Sequence, residues 1–512
     1  MAVPRPTKLR STPLRDLAAL VDAGDPASEV AVTGVTLDSR AVLPGDLYAA
    51  LPGARAHGAD FAGQAAAAGA PAVLTDRDGV DRMAAAGVDL PAVVVEQPRA
   101  VLGAVSARVL GTEDLALRLV GITGTNGKTT TAYLVHSALT AMGRHPGLIG
   151  TVETRIGDER LGSVRTTPEA PELHAVLAVM AERGLDSCVM EVSSHALAQH
   201  RVDGVVYDVA LFTNLSQDHL DFHRDMDDYF DAKAALFTPE RARQGLVCVD
   251  DDWGRRLVER SGIPVQTLGH AAGADWRVSV DDDDPAAFRL TGPGVDLHLR
   301  SSLPGDFNVT NTAMAAAALV LLGEDAATVG AAVLTDPHVP GRMEAVSAPT
   351  AADAPRAVVD YAHTPEAIRA ALTALRPTTA GSLVVVTGAG GDRDRDKRHA
   401  MGSAAAEVAD LVVVTDDNPR SEDPAAIRAA ILEGVEAVRS AGRAVEVLVV
   451  GDRRAAIRAA VDAVWSQGGA ATVAVVGKGH ESGQDVGGVV HPFDDRAELG
   501  AALRLAAGEG AA

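Results

Sequence analysis

Short, almost uninterrupted runs of β-branched and other apolar residues, separated by alanine-rich stretches, constrain this chain more than any other feature. Residues 119–123, 188–192, 383–387, 411–415, 445–450 and 472–476 are such runs. Strands covered on both faces of a parallel sheet read this way. Between the first two runs, Val135, Ala138, Leu139 and Met142 fall at i, i+3, i+4 and i+7, which is one stripe of a helix. Alternating strands and helices build right-handed crossover units with helices on both sheet faces. The expected class is therefore α/β. At 512 residues the chain outgrows one core, and about three domains are expected. Composition shifts at 111–117 and in the Ala/Pro-rich stretch 347–355 mark boundaries, giving 1–112, 113–345 and 346–512.

Charge and composition narrow the function. Lys and Arg number 46 against 69 Asp and Glu, a net −23, which argues against adhesion to nucleic acid or an anionic membrane. An anionic small molecule stays open, because a local cluster of cations can outweigh a distant surface field. Cys188 and Cys248 both sit in apolar runs without metal-ligand spacing and read as reduced core thiols. The apolar run 313–322 is too short to cross a bilayer, and the N-terminus has no apolar signal core. A cytoplasmic protein without membrane insertion is expected. The acidic run 281–284 reads as a solvated loop.

The sharpest local motif is Gly121-Ile-Thr-Gly124-Thr125-Asn126-Gly127-Lys128-Thr129-Thr130, between a strand and a helix. Backbone N–H groups of such a loop wrap phosphate oxygens, and the helix directs its positive end at them. Lys128 would neutralise the outer phosphates and the Thr129 hydroxyl would meet Mg²⁺. Glu191-Val-Ser193-Ser-His195 and Thr213-Asn-Leu-Ser-Gln-Asp-His219-Leu-Asp221 each follow a strand, at the sheet edge where open α/β sheets bind ligands. There Glu191 and His219 either hold a second divalent ion or cap a helix. Lys233 shares a helical stripe with Met226, Tyr229, Phe230 and Phe237. An ammonium on that apolar face must be paired, modified or snorkelled to the edge.

Together these segments, with Asn308 and Asn311, Pro340-Gly-Arg342 and Asp360-Tyr-Ala-His-Thr364, resemble the ATP-dependent Mur ligases, in order and through most of the chain. Within that family the chain is most similar to the members that add the third amino acid of the peptide. The resemblance implies a central P-loop parallel-sheet domain, a C-terminal Rossmann-like domain and a smaller N-terminal α/β domain that anchors the UDP-sugar. It implies that ATP phosphorylates the D-glutamate carboxylate of UDP-N-acetylmuramoyl-L-alanyl-D-glutamate, and that an amine then displaces phosphate. It assigns Gly124 to Thr130 to the phosphates, and Thr129, Glu191 and His219 to Mg²⁺. Lys233 would carry a CO₂-derived carbamate. Asn308 would meet the base, Arg342 the γ-phosphate and Asp360 the ribose. Leu37 and Ser39, beside Asp38 and Arg40, resemble a uridine-diphosphate site, as do the turns around Gly45 and between Gly53 and Gly58. Thr166, Thr167, Ser193, Gln199 and Arg201 match positions that hold the peptidyl sugar. A monomer is expected.

The last third carries the amino-acid argument. Gly388-Ala-Gly390 is no dinucleotide fingerprint, because Arg393 occupies the sixth place. Asp417-Asn418-Pro419-Arg420 resembles the signature of diaminopimelate-adding members. Meso-diaminopimelate has a distal carboxylate that a guanidinium grips with two hydrogen bonds, whereas lysine would leave Arg420 unpaired. By resemblance Arg398 would bind a carboxylate of the incoming amino acid, Glu481 an ammonium, and Gly477 would offer a backbone contact. Two other readings compete. A folate polyglutamate ligase lacks the full first domain and this loop, and a non-catalytic nucleotide switch has no need of Lys233, Arg398 or Glu481.

Overall fold

The computed structural model describes residues 4–347 and 354–508. The chain folds as a three-domain α/β protein with one principal sheet in each part. The N-terminal sheet has four parallel strands in chain order, Gly34–Thr36, Asp46–Ala49, Ala72–Thr75 and Ala92–Val94. Its lead-in is tied down. Arg5 Nη1 donates to both carboxylate oxygens of Asp46 at 2.7 Å, and the N–H groups of Thr7 and Lys8 donate to Glu182 of the central part.

Eleven strands form the central sheet, with Arg118–Thr123 between Ser187–Glu191 and Val209–Phe212. Side chains alternate between two covered faces, as expected. Val120, Ile122, Val189 and Leu211 pack under the helices Lys128–Ala141 and Asp306–Leu321, while Leu119, Cys188, Met190 and Phe212 enter the core on the other face. The apolar run 313–322 fills the end of that second buried helix and its cap at Leu322. No helix of the described residues is long and apolar enough to cross a membrane. Cys188 and Cys248 are free and buried, and burial pushes both thiols up to about 12.

The C-terminal sheet orders Glu344–Ala345, Arg356–Asp360, Thr472–Val476, Leu383–Thr387, Leu411–Val414 and Glu446–Val449, parallel apart from the first. Both faces of its middle strands are again covered.

Three expectations need correction. The run 445–450 is not covered on both faces. Glu446–Val449 is the edge strand, paired on one side only, and Leu448 and Val449 are 40% and 50% exposed. The helix bearing Lys233 is Met226–Ala234, so Phe237 lies beyond its cap, buried in the following turn rather than on the stripe. The central sheet is not purely parallel. Antiparallel strands Glu153–Ile156 and Glu159–Gly162 extend one edge, and Trp276–Val280, Ala287–Gly292 and Val295–Arg300 form a meander on the other. Their half-exposed, alternating residues make weaker signals than the doubly buried strands. The acidic run 281–284 is the exposed connection inside that meander. Of the second boundary stretch, 348–353 lie outside the described residues.

Candidate active site

The phosphate-binding motif leaves the C-terminal end of Arg118–Thr123 and enters the helix Lys128–Ala141. Gly127 caps that helix with φ +88°, and a Cβ there would come within 2.5 Å of Asn311 Oδ1. Only glycine suits this combination of left-handed backbone and close approach. Thr213 Oγ1 and Asn214 Nδ2 both donate to the Asn126 carbonyl, at 2.7 and 3.1 Å, which fixes the loop from the neighbouring strand end. Lys128 Nζ donates to the carbonyls of Gly124 and Thr125, both at 2.8 Å. Lys233 Nζ reaches the same Gly124 carbonyl at 2.7 Å and sits 4.5 Å from the centre of the Tyr229 ring. Lys233 is 1% exposed, and burial, with the charge of Lys128 nearby, holds its amine well below the usual lysine range. Of the three fates the sequence left for this lysine, snorkelling is excluded.

Beside the loop, Glu191 at the end of Ser187–Glu191 accepts from Thr129 Oγ1 at 2.9 Å, Thr151 N at 2.8 Å and Thr151 Oγ1 at 3.0 Å. It is buried and caps no helix. The cap of the short helix Ser194–Ala198 is Ser193, whose hydroxyl accepts from Ala196 N. His219 adopts φ +57°, and its ring meets His195 edge-on at 4.8 Å. Burial pushes the His219 imidazole down to about 3, so it is neutral. Asp218 bonds Lys397 of the C-terminal part at 3.0 Å and lies 3.6 Å from His363.

Many of these groups, though not Lys233, line a cavity of about 540 Å³ between the central and C-terminal parts. Thr125 to Thr130, Thr166, Glu191, Ser193, His219, Asn308, Arg342 and Asp360 all face it. Asn308 is held by Pro304 O at 2.7 Å and by Asn311 Nδ2 at 3.0 Å. Arg342 donates to Thr129 Oγ1 at 3.2 Å and stacks 4.3 Å above the Tyr361 ring. Asp360 accepts from Met343 N and Ala362 N at 2.7 and 2.8 Å, while burial raises its carboxyl. Next to Arg342, Gly341 has φ +64°, and a Cβ on it would overlap the backbone of Gly479 and His480.

A second cavity, about 790 Å³, opens between the N-terminal and central sheets. Leu37, Ser39, Gly53 and Gly58 line it from one side, Arg165 and Glu169 from the other. Its loop is pinned by His57, whose Nδ1 accepts from Ala59 N at 3.0 Å while Nε2 bonds Asp76 at 3.1 Å. Thr167, Gln199 and Arg201 line neither of these two cavities. Thr167 Oγ1 donates to Glu191 O at 2.9 Å, and Arg201 bonds Gln199 and Glu169.

The loops 388–398, 416–420 and 477–481 converge at the C-terminal end of the third sheet. Arg398 is paired with Glu422 at 2.9 and 3.1 Å, and its hydrogen bonds hold Glu422 down to about 2. Arg420 has φ +50°, and its Nη1 donates to Gly391 O at 2.6 Å. Gly477 N donates to Asp360 O at 3.1 Å, which joins this cluster to the first cavity. Pro419 N-terminal to Arg420 carries no donor of its own, and its carbonyl packs against Gly391. Asp417, Asn418 and Glu481 share one buried ammonium, that of Lys478. The sequence places Lys478 and Asp218 inside motifs without giving either a role, and does not single out Glu422 or Thr151. Only the apolar company of Lys478 within 472–479 offered a signal.

Thr129 and Glu191 together present a hydroxyl and a carboxylate to the phosphate loop. The described residues contain no group of three or more His, Cys, Asp or Glu side chains arranged for a metal. Few protein oxygens beside a phosphate site suit Mg²⁺, which keeps waters and substrate phosphates as its other ligands.

Three family profiles match the chain in order: "Mur ligase family, catalytic domain" at 31–109, "Mur ligase middle domain" at 122–319 and "Mur ligase, glutamate ligase domain" at 341–479. The chain is 53% identical over 511 residues, 99% of each chain, to the UDP-N-acetylmuramoyl-L-alanyl-D-glutamate–2,6-diaminopimelate ligase of Streptomyces avermitilis. A solved structure of a UDP-N-acetylmuramoyl-L-alanyl-D-glutamate–2,6-diaminopimelate ligase is 31% identical, with a TM-score of 0.66, covering 97% of this chain and 99% of that one. The chain belongs to the Mur ligase family. Mycobacterium tuberculosis folylpolyglutamate synthase complexed with ADP shares the fold at 20% identity and TM-score 0.57, over 73% of this chain and 91% of that one.

Proposed function

We propose that this chain is an ATP-dependent ligase that joins meso-2,6-diaminopimelate to the D-glutamate of UDP-N-acetylmuramoyl-L-alanyl-D-glutamate, in the cytoplasm and as a monomer. The observation that carries the reading is the convergence of a phosphate loop and a charged loop cluster from two sheets, joined through Arg342, Lys397 and Gly477. Its domains are read as 1–112 for the UDP-sugar, 113–345 for ATP and 346–512 for the amino acid, each with its own sheet.

A carboxylate is a poor electrophile until one oxygen becomes a good leaving group. Backbone N–H groups of 124–130, with Lys128 and Arg342, would screen the triphosphate so that the anionic D-glutamate carboxylate can attack the γ-phosphorus in line. The acid then bears the phosphoryl group, ADP leaves, and the amine adds to the carbonyl carbon before phosphate departs. Asn308 would hold the base and Asp360 the ribose. Thr129, Glu191 and His219 would hold Mg²⁺, which supplies charge neutralisation at the phosphates. Lys233, buried without a carboxylate partner among the described residues, suits addition of its neutral amine to CO₂. That addition would form an N–C bond, give up the amine's proton to solvent and turn the buried cation into an anionic carbamate beside the Gly124 carbonyl. Leu37 and Ser39 would meet the uridine diphosphate. Thr166, Thr167, Ser193, Gln199 and Arg201 would hold the peptidyl sugar. Arg398, Asp417 to Arg420, Gly477 and Glu481 would receive the amino acid.

Phosphate release with purified UDP-muramoyl dipeptide and ATP tests this directly. Release should depend on meso-diaminopimelate and be weak with L-lysine. Equal release with both amino acids, or release with neither, would overturn the assignment.

A further inference from the structure

Asp417 and Glu481 approach each other at the end of the C-terminal sheet, and a single ammonium holds them. Lys478 has 0% exposed surface. Its Nζ donates to Asp417 Oδ1 at 3.4 Å, Asn418 Oδ1 at 3.0 Å and Glu481 Oε2 at 3.1 Å. An ammonium has three hydrogens, so these acceptors use its whole capacity and leave nothing for a ligand. Asn418 closes the arrangement. Its Nδ2 donates to the same Glu481 oxygen at 2.9 Å, and its Oδ1 also accepts from Asp485 N at 2.9 Å. Arg453, packed behind the loop, is committed elsewhere, to Asp495 and to the carbonyl of Val476.

Two like charges at such range would drive one carboxylate to protonate or swing away unless a cation lay between them. With Lys478 in place, one Glu481 oxygen is fixed from inside the protein. The side chain is still 33% exposed, and its other oxygen, Oε1, has no hydrogen bond among the described residues. That oxygen is left free to accept from a ligand, on a side chain whose other oxygen is already held. Lysine suits the task better than arginine, because three short donors diverge from one nitrogen, whereas a guanidinium presents a flat fork.

We propose that Lys478 is a positioning residue for the diamino-acid substrate: it touches no substrate atom, but it binds Asp417, Asn418 and Glu481 into one rigid acceptor whose outer Glu481 oxygen receives an ammonium. The inference rests on the reading of the amino-acid site given above. It goes further by naming the buried charge that holds the site's ammonium acceptor in place.

Steady-state phosphate release, with each substrate varied in turn, separates positioning from a merely structural role. In Lys478→Met, KM for meso-diaminopimelate should rise about 10- to 100-fold, the scale of a lost hydrogen bond to a charged group. KM for ATP and kcat at saturating amino acid should stay at the wild-type values. Lys478→Arg keeps the charge but splays the donors, and should show a smaller rise in the same constant alone. If Lys478→Met does not fold, as judged by its thermal melt, the arginine variant carries the test. A parallel rise in the KM for ATP, or an unchanged KM for diaminopimelate in a folded variant, overturns the proposal. Wild-type enzyme that releases no phosphate with diaminopimelate would instead sink the parent reading, and this inference with it.

Discussion

The two ligand-facing sheet ends differ in how their cations are satisfied. At the phosphate loop, Lys128 and Lys233 donate only to backbone carbonyls, and burial lowers both amines. At the end of the third sheet, each buried cation already has a carboxylate: Arg398 with Glu422, Lys478 with Asp417 and Glu481, Arg453 with Asp495. At one end the two lysines have no carboxylate partner among the described residues, and at the other each cation is paired in advance. On the proposed reading a polyanion would bring its own compensation to the first, while a zwitterion, with almost no net charge, would meet a second end that already balances itself.

Removing a cation should therefore have opposite effects on stability at the two ends. Arg453→Met strands Asp495 in the interior and should cost about 3–5 kcal/mol in denaturant unfolding. Lys233→Met strands nothing, because Gly124 O keeps its bond from Lys128, and should raise stability by about 1 kcal/mol while abolishing phosphate release. Destabilisation of similar size in both variants would break the contrast. The next largest effect is on selectivity. Arg420→Ala should lower kcat/KM for diaminopimelate about 10- to 100-fold and leave the KM for ATP alone. Equal damage to both constants would place Arg420 outside the amino-acid end.

The smallest effect is a pH signature. Glu422 is held at about 2 by its hydrogen bonds to Arg398, below the ordinary glutamate value of 4.5. A carboxyl depressed in the folded state contributes stability that is complete above the unfolded value and lost as pH falls through the folded one. The stability gap between wild type and Glu422→Gln should thus be constant from neutral pH down to about 5, and shrink between 4.5 and about 2. A gap that widens in acid would show that Arg398 does not depend on this partner.

Strands buried on both faces were legible in the sequence because their runs are almost continuously apolar, which is why 119–123, 188–192, 383–387 and 472–476 correspond to strands. The edge strand Glu446–Val449 has the same composition, and composition does not record which strand comes last. The antiparallel additions at 153–162 and 276–300 mix exposed and buried residues and carry little periodic signal. For the site, glycine, lysine and threonine adjacent in sequence reveal a phosphate loop because its geometry is local. Lys478 and its partners Asp417 and Asn418 lie 61 and 60 residues apart, and Arg398 and Glu422 lie 24 apart. No spacing rule links them, since only the sheet order brings those loops together. Thr151 escaped notice for the same reason, approaching Glu191 from a neighbouring strand end.

Gly341 lies where the central and C-terminal parts meet, with no room for a side chain against Gly479 and His480. The seam between the two parts is therefore as thin as two polypeptide backbones allow. Arg342 follows directly and so inherits its reach toward Thr129 from that thinness. What lets the two parts approach so closely is a carbon atom that is missing.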